Sequence, residues 1–290
     1  MGWREWVPNA LLFVATAGSV YTVGEAMREG GGVQLVASLM GILLAHEMGH
    51  YVACRRYGVD ATLPYFIPFP VLSLSGTLGA FIAIRSRFPD RRALFDIGIA
   101  GPLAGFVVCV PVLALGILDA RVMPAALFEG PDGLSLGEPL LFQWMARWLL
   151  GPLPDGQVLV VGPLGMAGWF GLLVTALNLM PIGQLDGGHV TYALFRRAAM
   201  VISRVALALT LVLLWLRPTW LMWSIVLLVL TRPHPPTLDD RPGLGAGRKV
   251  VAGIGAVVFA LCFTPSPFEV TWGQFLDALA ELASLVTSRS

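Results

Sequence analysis

The sequence carries two histidines and a glutamate inside an apolar segment long enough to span a membrane. The letters HEMGH place His46, Glu47 and His50 between the apolar runs 36–45 and 51–53. On a helix, residues four apart lie one turn apart on one face, so both imidazoles can bind one metal ion. Ionisable groups are costly to bury in hydrocarbon, which favours a chemical role for them. The alternative is a pair of hydrogen-bonded, purely structural histidines.

The composition is that of a membrane protein. Hydrophobic residues make up 56% of the chain and charged residues only 13%, whereas soluble domains carry about 25% charge. The net charge is +1, so we expect no nucleic-acid partner and expect the lipid bilayer as the surroundings. The three cysteines form no CxxC pair, which indicates buried apolar residues.

The apolar segments predict an all-α polytopic membrane protein with about six transmembrane helices. Several segments are shorter than the roughly 20 residues of a straight span, so tilted or partial spans are expected. The first segment is expected to be a retained anchor, because its leading region has no net positive side-chain charge. The segments run approximately over 9–25, 33–54, 94–118, 158–180, 199–216, 219–231 and 250–264.

Residues 63–84 are apolar but cannot form one spanning helix. Three prolines and two glycines interrupt them, and proline breaks a helix interior. A re-entrant, β-hairpin-like segment after the HEMGH helix fits, since irregular backbone is tolerated where it lines a cavity. Its edge is a candidate substrate-binding strand, with a purely structural hairpin as the alternative. The candidate residues are Gly76, Thr77, Leu78 and Gly79.

The loop charges predict the orientation of the chain. Arginines are concentrated in residues 55–92, 187–204 and 232–249, and positively charged loops face the cytosol. The HEMGH helix therefore runs inward, with its motif near the cytosolic side. We expect a multi-pass protein of the cell membrane.

A catalytic zinc site needs a third protein ligand and an open position for water. Asp186 and His189 are the candidates, because both follow an apolar segment that ends on the same predicted side as His50. Pro181 and nearby glycines break the helix there, so the backbone can turn and present Asp186. A helix-capping role is the alternative for Asp186.

Two further segments complete a recognisable pattern. The stretch from Asn178 to Gly187 reads Asn-x-x-Pro-x-x-x-Leu-Asp-Gly, residues 101–105 read GPLAG, and residues 76–80 read GTLGA. Together with HEMGH, these motifs make residues 33–200 resemble the site-2 protease family of intramembrane zinc metalloproteases. Many bacterial members carry a PDZ domain between the catalytic spans. Here the corresponding loop of about 40 residues is too short for one.

The resemblance implies roles for individual residues. It implies that His46, His50 and Asp186 bind one zinc ion (Zn2+) per chain, and that Glu47 is the general base. Asn178 is a candidate catalytic residue that donates to the substrate carbonyl or clamps the substrate backbone. A helix cap or an interhelical hydrogen bond is the alternative for Asn178.

Gly101 and Gly105 form a GxxxG pair within the GPLAG segment. A row of small residues at spacing four also follows the HEMGH helix. Small residues allow membrane helices to approach closely, so we expect these two helices to touch. The row consists of Ala37, Gly41, Ala45, Gly49 and Ala53.

The expected function is hydrolysis of peptide bonds within or near transmembrane segments of protein or peptide substrates. A zinc-binding membrane transporter and a non-proteolytic protein of the same fold are the alternatives. Four regions are expected: an N-terminal membrane segment at 1–32, a catalytic core at 33–200, additional transmembrane helices at 201–265, and an amphipathic C-terminal tail at 266–290. The oligomeric state is not indicated by the sequence.

Overall fold

The apolar segments form helices, several of them long enough to cross a bilayer. A computed structural model of the protein describes residues 3–70, 73–128, 135–231, 237–241 and 243–287. Within these residues five helical stretches have the length and composition of membrane spans: Trp6–Met27, Gly31–Arg56, Arg91–Leu118, Asp186–Leu216 and Gly245–Cys262. Two shorter apolar helices accompany them. The chain is a polytopic membrane protein, as predicted.

The HEMGH motif lies on a nearly continuous helical stretch that follows the first helix, α1 (Trp3–Met27). This stretch begins as α2 (Gly31–Leu35), passes through a π-helical turn at Val36–Met40, and continues as α3 (Gly41–Arg56). A π turn shifts the helical register locally and is frequent near functional sites. Since α3 runs from Gly41 to Arg56, residues 46–50 lie in its middle, after the π turn. The regular backbone there fixes the directions of their side chains.

The Pro- and Gly-interrupted segment forms an antiparallel hairpin of β1 (Tyr65–Pro68) and β2 (Thr77–Phe81). Its register shifts between Phe66 and Pro68. Gly79 lies in the part of β2 opposite this shift, between Thr77 and Ala80, and has φ +102. Glycine adopts this conformation without steric cost. The predicted hairpin after the HEMGH helix is confirmed.

Helix α1 holds this hairpin at both ends. The Asn9 side-chain amide donates to the carbonyls of Leu63 (2.8 Å) and Pro64 (3.0 Å). The Ser19 hydroxyl donates to the carbonyl of Gly76 at 2.5 Å. The Gly76 carbonyl also accepts from the Phe69 N–H at 3.0 Å, so the Ser19 bond is its second. In an apolar environment such side-chain bonds help to satisfy backbone carbonyls.

The centre of the fold is α4 (Arg91–Leu118), which packs against α3 and α6 (Pro163–Leu179). Asp90 caps α4 by accepting a hydrogen bond from the Ala93 backbone at 2.8 Å. Glycines bring α4 and α6 together: a Cβ on Gly116 would lie 2.3 Å from the Gly165 backbone. The main apolar cluster fills the space between these helices and includes Leu94, Leu113, Ile117 and Leu172.

The loop between α4 and α6 forms a second small hairpin of β3 (Arg121–Pro124) and β4 (Gln157–Val160), with α5 (Leu140–Leu150) between the two strands. Trp148 on α5 is 83% exposed, as expected for an aromatic residue at a membrane interface. Residues 129–134 of this loop lie outside the described part of the chain.

The remaining helices follow a sharp turn after α6. They are α7 (Asp186–Phe195), α8 (Ala199–Leu216), α9 (Trp220–Leu230), α10 (Gly245–Cys262) and α11 (Trp272–Thr287). Helix α7 is short and lies against α4. Helix α11 forms most of the predicted C-terminal tail, whose residues 288–290 lie outside the described residues. The division into four regions stays a prediction.

Candidate metal centre

Three possible ligand atoms meet at one point between α3 and α7. The Nε2 atoms of His46 and His50 are 3.2 Å apart, and each lies 3.2 Å from Oδ2 of Asp186. Among the described residues, these three side chains form a group able to hold a metal ion. Ligands about 2.0 Å from a tetrahedral zinc ion lie about 3.3 Å from one another, so the triangle fits zinc.

The ring orientation of His50 is set by its second nitrogen. Its Nδ1–H donates to the carbonyl of Ile97 on α4 at 2.7 Å. Because a carbonyl only accepts, the proton of a neutral ring lies on Nδ1 and leaves the Nε2 lone pair free. Such an outer contact is typical of metal-binding histidines.

The GxxxG pair of α4 contacts the two histidines: Gly101 lies against His50 and Gly105 against His46. A Cβ on Gly101 would be 2.0 Å from Nε2 of His50, and a Cβ on Gly105 would be 3.1 Å from Cβ of His46. The two helices do touch, as expected. However, the close backbone contact is made by Gly49, whose Cβ would lie 2.5 Å from the Ala100 carbonyl. Gly101 and Gly105 instead leave room for the two imidazoles.

Asp186 reaches the site from a tight turn between α6 and α7. Gly187 packs so closely that a Cβ there would lie 2.1 Å from the Leu179 carbonyl. Gly183 has φ +51, and its N–H donates to the Ser203 hydroxyl of α8 at 2.9 Å. Ser203 was not singled out in the sequence, because a lone serine in an apolar helix carries no local signal of this contact.

His189, the other candidate ligand, lies elsewhere. Its ring packs against Phe88, with 5.8 Å between the ring centroids. Its Cβ lies close to Gly98 of α4, where an added Cβ would be only 3.0 Å away. It lies on α7 nearly one turn after Asp186. The ligand group in the structure contains Asp186 and leaves His189 out.

Glu47 and Asn178 both lie next to His46: Glu47 follows it on α3, and the Asn178 side chain approaches its ring from α6. Glu47 is only 6% exposed, and its carboxylate lies within reach of the backbone N–H of Ile82, just after β2. The side-chain nitrogen of Asn178, in the last turn of α6, lies 3.4 Å from Nε2 of His46. The catalytic roles of both residues stay predictions.

The hairpin borders an apolar groove of about 210 Å³ beside α3. Leu78 on β2 lines it and is 56% exposed, and Leu43 lines it one turn before Glu47. The Thr77 hydroxyl is used inside the hairpin, where it donates to the Ile67 carbonyl at 2.8 Å. Of the four candidate hairpin residues, Thr77, Leu78 and Gly79 line this groove. Gly76 contacts α1 instead.

A polar cluster that sequence reasoning did not assign lies near the end of α3. Arg248 of α10 makes a bidentate ion pair with Asp96 of α4. Its Nε donates to Oδ1 at 2.8 Å and its Nη2 donates to Oδ2 at 2.7 Å. Tyr57 donates to the same carboxylate and accepts from Arg248 at 3.1 Å. Burial and the neighbouring Asp96 raise the pKa of Tyr57, so its phenol stays protonated. The cluster joins three helices next to Ile97, the partner of His50.

Comparisons with known proteins agree with this geometry. The sequence model of peptidase family M50 matches residues 34–215. The chain is 36% identical over 239 residues to the probable zinc metalloprotease EGY1, chloroplastic, of Arabidopsis thaliana, covering 80% of this chain and 42% of that protein. It is 33% identical over 258 residues to the protein of the same name from Oryza sativa subsp. japonica, covering 86% and 42%.

A more distant relative has the same general description. The probable zinc metalloprotease EGY2, chloroplastic, of Arabidopsis thaliana is 27% identical over 254 residues, covering 86% of this chain and 44% of that protein. The chain thus spans less than half the length of these curated relatives.

Proposed function

Since the chain belongs to peptidase family M50, we propose that it is an intramembrane zinc metalloprotease that cuts within or near transmembrane segments of membrane proteins. One observation carries the proposal: two histidines and an aspartate converge within 3.2 Å, and Glu47 lies beside them on a helix of membrane-spanning length. Glutamate next to a two-histidine metal site is the arrangement of metal-dependent peptide hydrolysis.

The proposed ligands are His46, His50 and Asp186. When bound there, zinc supplies Lewis acidity, which polarises the scissile carbonyl and makes a water molecule more acidic. Glu47 accepts the proton of the attacking water and passes it to the departing amine. Its burial keeps the carboxylate away from bulk water. Asn178 is proposed to donate its side-chain N–H to the substrate carbonyl, because its nitrogen lies 3.4 Å from a ligand atom of His46.

The proposed substrates are transmembrane proteins or peptides. A peptide bond in a membrane helix is protected by the hydrogen bonds of that helix, so the substrate must unwind before it is cut. The apolar groove between β2 and α3 suits an unwound apolar segment, since Leu43, which lines it, lies one turn before Glu47 on α3. We propose that the substrate extends along β2 beside Leu78 and Gly79 as an added strand.

The proposed location is the cell membrane, with the site near the cytosolic side. Arginines gather where α3 ends and where α4 begins, at Arg55, Arg56, Arg91 and Arg92. Because positively charged loops tend to face the cytosol, these arginines support the proposed cytosolic location of this end of the bundle. Fusion of reporter proteins to loops on both sides tests the orientation, and membrane fractionation tests the location.

Cleavage by the purified full chain tests the proposed activity. A model substrate with one transmembrane segment is incubated with the protein in liposomes, before and after zinc removal by a chelator and after zinc is restored. We expect cleavage to disappear with zinc and return with it. Cleavage that persists without metal contradicts the proposal. Zinc movement into the liposomes without cleavage favours the transporter alternative.

A further inference from the structure

The loop before α10 is attached to two other helices. Its residues 237–241, here called the strap, lie beside the segment that leads into α4. The Leu238 N–H donates to the Phe88 carbonyl and the Asp239 N–H to the Pro89 carbonyl, both at 3.0 Å. Asp239 thereby pairs in parallel with Asp90, the residue that caps α4. The strap is thus fixed to the start of α4 by backbone hydrogen bonds.

The strap also binds the end of α7 through Asp240. The Tyr192 hydroxyl on α7 donates to Oδ2 of Asp240 at 2.9 Å, and the Thr237 hydroxyl donates to Oδ1 at 2.6 Å. Burial raises the pKa of Asp240, but the hydrogen bonds from Thr237 and Tyr192 outweigh this effect and hold it below its usual range. Asp240 is therefore a carboxylate at neutral pH, and it accepts both bonds as an ion.

Arg91 makes a second connection between α4, the strap and α7. Its Nε donates to the Ala193 carbonyl at 2.9 Å, and its Nη1 donates to the Asp240 carbonyl at 3.4 Å. Nη2 is directed at the carbonyls of Ala193 and Leu194. The last carbonyls of a helix have no partner inside that helix, and a positive charge there is favourable. Arg91 therefore caps the C-terminal end of α7.

These contacts matter because α7 carries Asp186 as its first residue. A helix of 10 residues is about 15 Å long, so tilting it by about 5° moves its start by about 1 Å. Distances between a metal and its ligands tolerate about 0.2 Å. Directly after α7, Arg196 has φ +51, which turns the chain sharply. The far end of α7 is therefore held by Arg91 and the strap rather than by a straight continuation of the helix.

We propose that Arg91 and Asp240 are positioning residues for the ligand Asp186: they hold the end of α7 and thereby keep the carboxylate in the zinc triangle. This inference rests on the proposed zinc site. Asp240 and the rest of the strap lie outside residues 34–215, which match the family. Metal retention in this chain thus depends on a loop remote in sequence from all three ligands.

Metal release from the purified full chain tests the proposal. Asp240→Ala and Arg91→Lys each remove contacts at the end of α7 without touching a ligand. We expect both variants to release zinc to a chelator about 10-fold faster than wild type, which is the lower end of the affinity loss seen when groups that orient metal ligands are removed. With cobalt(II) in place of zinc, we expect a changed visible absorption spectrum, because that spectrum reports ligand geometry. Asp240→Asn, which keeps one acceptor oxygen, should recover part of the loss.

Arg241→Ala is the matched control. Arg241 belongs to the same strap, but its side chain is exposed and binds Asp239. We expect this variant to release metal at the wild-type rate and to keep the wild-type cobalt spectrum. If Asp240→Ala does not fold, Tyr192→Phe serves instead, because it removes a single hydroxyl from the same contact. We expect it to change release in the same direction by a smaller factor.

Wild-type release rates and spectra in folded Asp240→Ala and Arg91→Lys, or in Tyr192→Phe where it replaces the former, overturn the proposal. Asp186→Ala separates this failure from failure of the zinc site. If Asp186→Ala loses its metal while the strap variants keep theirs, the ligand set stands and only the positioning role falls. If Asp186→Ala also retains zinc, the proposed ligand set is wrong and this inference falls with it.

Discussion

The imidazole of His50 occupies the space that a side chain on Gly101 would fill. A Cβ built on Gly101 would lie 2.0 Å from Nε2, the nitrogen directed at Asp186. The ring would relieve this overlap only by leaving its place, where it is also bound to the Ile97 carbonyl. The zinc triangle therefore requires glycine on α4 as well as the ligands themselves.

Gly101→Ala should displace the His50 ring and lower zinc content to a small fraction of wild type. Zinc per chain, measured by elemental analysis of the purified protein, tests this prediction. Gly105→Ala should cause a smaller loss, because its Cβ would lie 3.1 Å from the nearest atom of His46. Gly41→Ala is the control, since nothing lies within 4 Å of a Cβ there. It should keep zinc and be neutral or stabilising by up to about 1 kcal/mol. Full zinc binding by Gly101→Ala would contradict this interpretation.

Glu47→Gln should keep zinc and lose cleavage by at least about 100-fold, since a general base contributes about 10²–10⁴-fold. The amide has nearly the shape of the carboxylate but does not accept the proton of water. Zinc content and cleavage of a membrane substrate are measured on the same preparation. His46→Ala is the comparison that should lose both zinc and activity. Near-normal cleavage by Glu47→Gln would exclude the proposed role of the base.

Asp186→Ala should weaken zinc retention, whereas His189→Ala should leave zinc bound. The reason is geometric: Asp186 lies 3.2 Å from both histidine nitrogens, and the His189 ring packs against Phe88 instead. Competition with a chelator measures retention in both variants. The opposite ranking would make His189 the third ligand.

Leu78→Asn should reduce cleavage of a membrane substrate, mainly by raising KM, while zinc content and thermal stability stay near wild type. Leu78 lines the groove, and its exposed side chain contributes little to the core. A polar side chain there makes the groove less favourable for an apolar segment. Val122→Asn is the matched control, because Val122 on β3 is 43% exposed, lies outside the membrane-spanning stretches and does not line the groove. Equal effects of the two variants would argue against substrate binding beside β2.

Much of the site was predictable from local pattern. The spacing of His46 and His50 needs only helix periodicity, and Pro181 with the following glycines identifies the turn that precedes Asp186. The hairpin followed from prolines and glycines that exclude a helix over 63–84. In each case the responsible residues are close in sequence, so backbone geometry alone carries the inference.

Other features depend on residues far apart in sequence. The motif GPLAG predicted helix contact, but its role as space for the His50 and His46 rings appears only when α3 and α4 are packed. The same holds for the Ile97 carbonyl on His50 and the Ser203 hydroxyl on Gly183. Backbone carbonyls and single serines carry no sequence signature, because their role depends on which atoms the fold brings within 3 Å.

The sequence by itself thus determined a helical membrane protein with two metal-binding histidines one turn apart, because hydrophobicity and helix periodicity are properties of short segments. Only the tertiary structure brings Asp186 rather than His189 to within 3.2 Å of both histidine nitrogens, and brings Arg91 and the strap into contact with the end of the helix that carries it. The direction of a side chain at the start of a short helix depends on contacts at both helix ends. Those contacts come from α4, α8 and the loop before α10, which become neighbours only on folding.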